Sequence, residues 1–262
     1  MHTQEPQPLD KLVLFVTDVC NLRCAYCYVS HQAANGSRSM MTEDVARRIA
    51  QRVLARRAPC DFVQFFGGEP TLNMPAMTAF VDEACGMVRA GTIASTPHFG
   101  IVTNGASADP KTLVAFCTAH DVNATVSLDG PRQVHDALRP AASGRGSFDA
   151  ALLTIKALQD AHVPVAIETV YTAAHIDAGC SIVDVFRLAE SLGVRKVVLH
   201  TVYPPAPPEL LPFDDAHFRQ LLDLHIDAAK WWFESLVQGR TAPLDVYFKD
   251  LLVPLLQGAG VG

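Results

Sequence analysis

An α/β fold with a parallel sheet is predicted by three features of the sequence. Short apolar runs rich in Val, Ile and Phe alternate with longer amphipathic segments. Several of those segments open on residues that cap helices, Thr42, Asp109 and Ser147 among them. Of the 262 residues, 49% are hydrophobic and 18% charged, enough to bury a substantial core. Strands that alternate with helices run parallel, because a tight turn cannot join parallel neighbours. Six βα units are too few for an eight-stranded barrel, so an open doubly wound sheet and a partial barrel both remain.

In chain order the strand candidates are KLVLFV (11–16), DFVQFF (61–66), HFGIVT (98–103), NATVSL (123–128), VPVAIETVY (163–171) and KVVLHTV (196–202). Helix candidates lie near 42–57, 74–89, 110–120, 147–161 and 181–192, and Asp109 followed by Pro110 is the clearest start. Five prolines in the ten residues of YPPAPPELLP (203–212) end the alternation and read as a surface linker. A long helix from about Asp214 to Gln238 and a short apolar one near 244–257 are expected after it. The organisation expected is a flexible N-terminus over 1–10, a βα domain over 11–202 and a linker with a helical tail over 203–262.

Acidic residues outnumber basic ones by 27 to 21, and neither sign forms a block, so a nucleic-acid partner is not expected. The opening MHTQEPQPLDK is no targeting segment, and no apolar stretch reaches membrane-spanning length, so the expected location is the cytoplasm. Seven cysteines, three clustered and Cys60, Cys85, Cys117 and Cys180 scattered, do not form a secreted disulfide framework. The scattered four read as small buried residues.

In a parallel α/β fold the ligand site lies at the carboxyl ends of the strands. Here the first strand is followed by Cys20, Cys24 and Cys27, the second by Gly67, Gly68, Glu69 and Pro70, the third by Thr103, Asn104 and Gly105, and the fourth by Asp129 and Gly130. Thiolates at x3 then x2 spacing in one loop suit three corners of an iron-sulfur cube, which leaves one iron open. A zinc ribbon would need four protein ligands with paired short spacings, and the chain has no second CxxC; unreactive buried cysteines are the other reading.

CNLRCAYCY (20–28), with an aromatic residue directly before its third cysteine, and GGEP one βα unit later resemble the radical S-adenosylmethionine (SAM) superfamily. The resemblance implies a partial (β/α)6, TIM-like barrel and a [4Fe-4S] cluster on Cys20, Cys24 and Cys27. It also implies SAM chelating the open iron and reductive cleavage of SAM to a 5′-deoxyadenosyl radical. Tyr26 belongs to the same motif. Gly67 and Gly68 would bring main-chain oxygens to the methionine ammonium and Glu69 a carboxylate. Thr103 and Asn104 would approach SAM from the third strand end, with a plain Asn-Gly turn as the alternative.

VSLDGPRQVHDALRP (126–140) resembles the subgroup of anaerobic sulfatase-maturating enzymes and maturases of ribosomally made peptides. That likeness implies that Ser127 and Arg139 contact the ribose and carboxylate of SAM, Arg139 as a planar fork. Asp129 and Gly130 are expected to shape the turn, and His135 and Asp136 to hold this loop. Val170 is by analogy an adenine contact. Glu168 is either a polar site residue or a solvent-facing or paired one, His200 either a substrate contact or a hydrogen-bonded core histidine, and Trp231 and Trp232 read as packing.

Members of that subgroup usually continue into a cysteine-rich extension of the SPASM type with auxiliary clusters, and no cysteine follows Cys180 here. The expectation is a shortened relative, with residues after 212 resembling the bridge to that extension. The function implied is hydrogen abstraction from a residue of a precursor peptide or protein, with a flavodoxin or ferredoxin as reductant. A radical SAM enzyme acting on a small metabolite, and an iron-sulfur scaffold or electron carrier that never cleaves SAM, are the alternatives.

Overall fold

The computed structural model describes residues 9–27, 39–55, 60–106, 109–201 and 213–245. The elements in order are β1 (Leu9–Thr17), α1 (Glu43–Leu54), β2 (Cys60–Gly67), a 3-10 turn (Pro70–Asn73), α2 (Met74–Arg89), β3 (His98–Thr103), α3 (Pro110–His120), β4 (Val122–Ser127), α4 (Arg132–Leu138), α5 (Phe148–Asp160), β5 (Val165–Tyr171), α6 (Ala173–Asp177), α7 (Ile182–Ser191), β6 (Lys196–Thr201), α8 (Asp215–Val237) and β7 (Leu244–Asp245). The six expected strands are present, and across the sheet the strands follow chain order from β1 to β7. The β1–β2, β2–β3, β5–β6 and β6–β7 ladders are parallel.

The structure adds α4 and α6, which are too short at seven and five residues to carry a helical period. It corrects the apolar helix expected near 244–257: Leu244 and Asp245 form a strand that pairs with Lys196 and Val197. The rest of that span, and the proline-rich 203–212, lie outside the described residues.

The chain divides into two compact units: 1–21, 29–125 and 153–164 in one, and 22–28, 126–152 and 165–262 in the other. In the first unit, Phe65 on β2 is fully buried and meets Phe80, Phe99 and Phe116 at centroid distances of 6.0, 6.1 and 6.2 Å. Burying each such ring contributes about 1.5–3 kcal/mol. Asp109 caps α3 by accepting from Lys111 N at 3.1 Å, with Pro110 at the first helical position, as its sequence predicts.

The second unit packs Ile167 and Tyr171 of β5, Val197 of β6 and Phe186 of α7 at no more than 1% exposure. Alternate residues of β5 therefore face its core, while Glu168 and Val170 stand half-buried on the other face. From α8, Trp231 meets Phe186 at a centroid distance of 6.0 Å, and the buried Trp232 donates from Nε1 to Pro243 O at 3.1 Å. Cys117 and Cys180 are buried small residues, whereas Cys60 and Cys85 are partly exposed, which corrects half of that expectation.

Candidate functional site

In the first unit the turn after β2 is pulled onto the end of β1. Gly68 N donates to Thr17 O at 2.7 Å and Glu69 N to Val19 O at 2.8 Å. That approach is what requires the glycines. A Cβ on Gly67, whose φ is +140°, would lie 2.2 Å from Thr17 O, and one on Gly68 would lie 2.5 Å from Val19 O. The backbone closeness that the sequence suggests is thus made to the chain's own segment leading into Cys20.

Glu69 is 1% exposed. Its Oε1 accepts from Thr71 N (3.1 Å), Thr71 Oγ1 (2.6 Å) and Thr103 Oγ1 (2.7 Å), and its Oε2 from Asn104 N (2.7 Å). The carboxylate read as facing an ammonium is therefore held by four neutral donors, two of them from the third strand end. Burial raises its pKa against the pull of the bonds from Thr71, Asn104 and Thr103. Asn104 links this bracing to the cysteine loop: its Nδ2 donates to Asn21 Oδ1 at 2.9 Å and points at Cys20 Sγ at 3.7 Å.

The second unit holds Cys24 and Cys27. Cys27 N donates to Cys24 O at 3.1 Å, closing a turn, and the loop is tied down by Arg23 N to Pro140 O (2.8 Å) and Ala25 N to Leu138 O (2.9 Å). Tyr26, between the two cysteines, donates to Asp129 Oδ2 at 2.5 Å. Arg139 grips the same carboxylate with both arms of a fork, Nε to Oδ2 at 2.7 Å and Nη2 to Oδ1 at 3.2 Å, and its Cζ stands 5.2 Å from the Tyr26 ring. Val170 N donates to Asp129 Oδ1 at 3.1 Å. The fork that the sequence assigns to a ligand's carboxylate is thus engaged with Asp129.

Asp129, expected only to shape a turn, is completely buried, and sequence reasoning missed its role. The available signal was an acid two residues past a strand end and ten before an arginine. Burial pushes its carboxyl upward, but the charge and hydrogen bonds of Arg139, then Tyr26, outweigh that and hold it below the ordinary value. Burial likewise holds the Tyr26 phenol well above its usual range, so it remains a donor. Arg139 stays charged: burial opposes its charge, but Asp129 foremost, with Tyr26 and Cys24, more than offsets that cost.

His135 holds this loop: Nδ1 accepts from Asp129 N at 3.1 Å and Nε2 meets Ser147 Oγ at 3.0 Å. Burial depresses it to about 4, so it is neutral. Ser127 is buried at the end of β4. Glu168 and His200 form a pair at 3.4 Å, with the histidine half-exposed.

The structure brings Glu69, Thr103, Asn104 and Cys20 together in one unit, and Tyr26, Arg139 and Val170 around Asp129 in the other. Among the described residues it shows no group of three His, Cys, Asp or Glu side chains arranged as a metal site. The donor chemistry nonetheless suits an iron-sulfur cluster: Cys20, Cys24 and Cys27 are partly exposed, and none is in a disulfide. Among the described residues no helix is long and apolar enough to cross a membrane.

A cysteine-type anaerobic sulfatase-maturating enzyme from Clostridium novyi is 29% identical over 95% of this chain and 66% of its own length. An uncharacterised protein from Methanocaldococcus jannaschii is 30% identical over 62% of this chain and 52% of its own length. The chain therefore spans between half and two thirds of these relatives. Among solved structures, anSMEcpe with bound AdoMet superposes with a TM-score of 0.82 over 97% of this chain and 66% of that one, at 20% identity. Streptococcus suis SuiB bound to its precursor peptide SuiA gives 0.62 over 91% and 48%, at 17% identity. These likenesses select the partial (β/α)6 barrel over the open sheet. The Radical SAM superfamily model matches residues 14–176, well over half of the sequence, and the chain belongs to that superfamily.

Proposed function

We propose that Cys20, Cys24 and Cys27 hold a [4Fe-4S] cluster and that the chain uses SAM to abstract hydrogen from a residue of a peptide or protein, modifying it. The observation that carries this reading is the three-thiol loop, braced by the bonds of Asn104 beside Cys20 and by main-chain bonds around Cys24 and Cys27. When bound, cluster and SAM together supply one-electron cleavage of the sulfonium and a 5′-deoxyadenosyl radical.

The chain's own residues then have separate tasks. Glu69, Thr103 and Asn104 fix the turn beside Cys20. Arg139, Tyr26, Ser127 and Val170 would contact SAM, as the family likeness implies, and Gly67 and Gly68 let the β2 turn close on β1. Residues 11–202 form the radical-generating domain, and a flavodoxin or ferredoxin serves as reductant.

A peptide substrate is supported by the sulfatase-maturating relatives and by a sporulation killing factor maturation protein, SkfB from Bacillus subtilis, 24% identical over 70% of this chain and 43% of its own length. Anaerobic reconstitution with iron and sulfide should give about four irons per chain. Dithionite and SAM should then release 5′-deoxyadenosine, seen by chromatography; a loaded chain that releases none is a carrier instead. Coexpression with short peptides encoded beside the gene, followed by mass analysis, tests the substrate class, and unchanged masses throughout would favour a small metabolite.

A further inference from the structure

We infer that Asp129 is the positioning residue of the second unit, holding Tyr26 and Arg139 in place and, through them, the half of the cysteine loop that carries Cys24 and Cys27. The inference rests on the function proposed above and extends it to a residue that the sequence reading left in a turn.

Asp129 has no exposed surface. Its carboxylate gathers donors from three separated segments: the Tyr26 hydroxyl, the Nε and Nη2 of Arg139, and the backbone N–H of Val170. These three residues are the ones that family resemblance assigns to SAM in this unit besides Ser127. They meet at one carboxylate. Asp129's own backbone is pinned as well, its N–H donating to His135 Nδ1 at 3.1 Å and its carbonyl meeting His175 Nε2 at 3.0 Å. An aspartate that only shaped a turn would need neither complete burial nor a two-armed cation.

The coupling to the thiols is short. Tyr26 lies between Cys24 and Cys27, and the neighbouring Ala25 N donates to Leu138 O, one residue before Arg139. A shift of the Asp129 carboxylate therefore moves both the ring and the fork, and the loop shares its anchor with the fork. Buried charge pairs hold such an arrangement in a single geometry, because separating the partners leaves an unpaired charge away from water.

The test is Asp129→Asn in the full chain, reconstituted anaerobically, reduced with dithionite and titrated with SAM while the cluster's EPR spectrum is followed. Both proteins should carry about four irons. The variant should need about ten-fold more SAM or greater for the same spectral change, the usual scale for losing a residue that orients a ligand holder. Without iron, iodoacetamide should label Cys24 and Cys27 faster in the variant, read by mass spectrometry, with Cys20 and the buried Cys117 reacting as in wild type.

A SAM midpoint within about two-fold of wild type overturns the inference. So does a weakened SAM response with Cys24 and Cys27 labelled at wild-type rates. Labelling of Cys117 would mean that the variant had unfolded; Tyr26→Phe, which removes only the hydroxyl, then decides, with a shift of about three-fold or more expected and a wild-type midpoint overturning. A wild-type chain that forms its cluster but never responds to SAM removes the proposed function and this inference together. A wild type that responds, with unaffected variants, removes the inference alone.

Discussion

The buried carboxylate after β2 and the buried carboxylate after β4 solve the same problem in opposite ways. Glu69 is 1% exposed and Asp129 is 0% exposed. Glu69 meets only neutral donors, from Thr71, Thr103 and Asn104, and burial still lifts its carboxyl above the ordinary 4.5. Asp129 meets a neutral hydroxyl and a backbone N–H as well, but also Arg139, and it is held below the ordinary 3.8. Hydrogen bonds alone do not offset the loss of water around a carboxylate here; an adjacent cation does.

The largest expected effect follows from the cation. Asp129→Ala leaves Arg139 buried without its anion and should cost about 3–5 kcal/mol in urea unfolding. Glu69→Gln leaves no charge behind but turns an amide group toward one of the donors, at a cost of about 1–3 kcal/mol. Equal losses in the two variants would break the comparison.

The pH dependence sharpens it further. A carboxyl raised by folding, as Glu69 is, gives stability that is full below pH 4.5 and is lost as the pH rises through its folded value. A depressed one, as Asp129 is, gives stability present above pH 3.8 and lost as the pH falls through its folded value. Urea midpoints across pH should therefore show that Asp129→Asn flattens the acid side and that Glu69→Gln flattens a decline above pH 4.5. The same sign in both variants would contradict the contrast.

Single donors separate the two sites again. Tyr26→Phe removes a bond to an ionised acceptor and should cost about 1.5–3 kcal/mol. Thr103→Val removes one of Glu69's four neutral contacts and should cost about 0.5–1.5 kcal/mol. A reversed order, measured in one denaturant series, would mean that charge on Asp129 does not strengthen its hydrogen bonds.

Much of the fold was legible because its signals are local. The run HFGIVT reads as a strand, and Asp109 followed by Pro110 reads as a helix start, from neighbours in the chain alone. The expected helix near 244–257 failed at Leu244 and Asp245 because a two-residue strand has no period of its own; the exposed edge of β6 decides it. The candidate site was legible as a set of residues and illegible as a set of partners. Thr103 and Asn104 sit at the third strand end, as their place in the chain implies, yet they serve Glu69, 34 and 35 residues away.

By itself the sequence determined the superfamily and the residues to inspect, since the cysteine spacing, the GGEP turn and the alternation of strand and helix are properties of neighbouring residues along a covalent chain. Only the tertiary structure decided what each charged group faces. Arg139 could have met any carboxylate, and the packing of the second unit presents it with Asp129, ten residues away and sealed from water. The physical reason is that spacing limits which groups one loop can offer, whereas the cost of burying a charge is set by whatever the fold brings beside it.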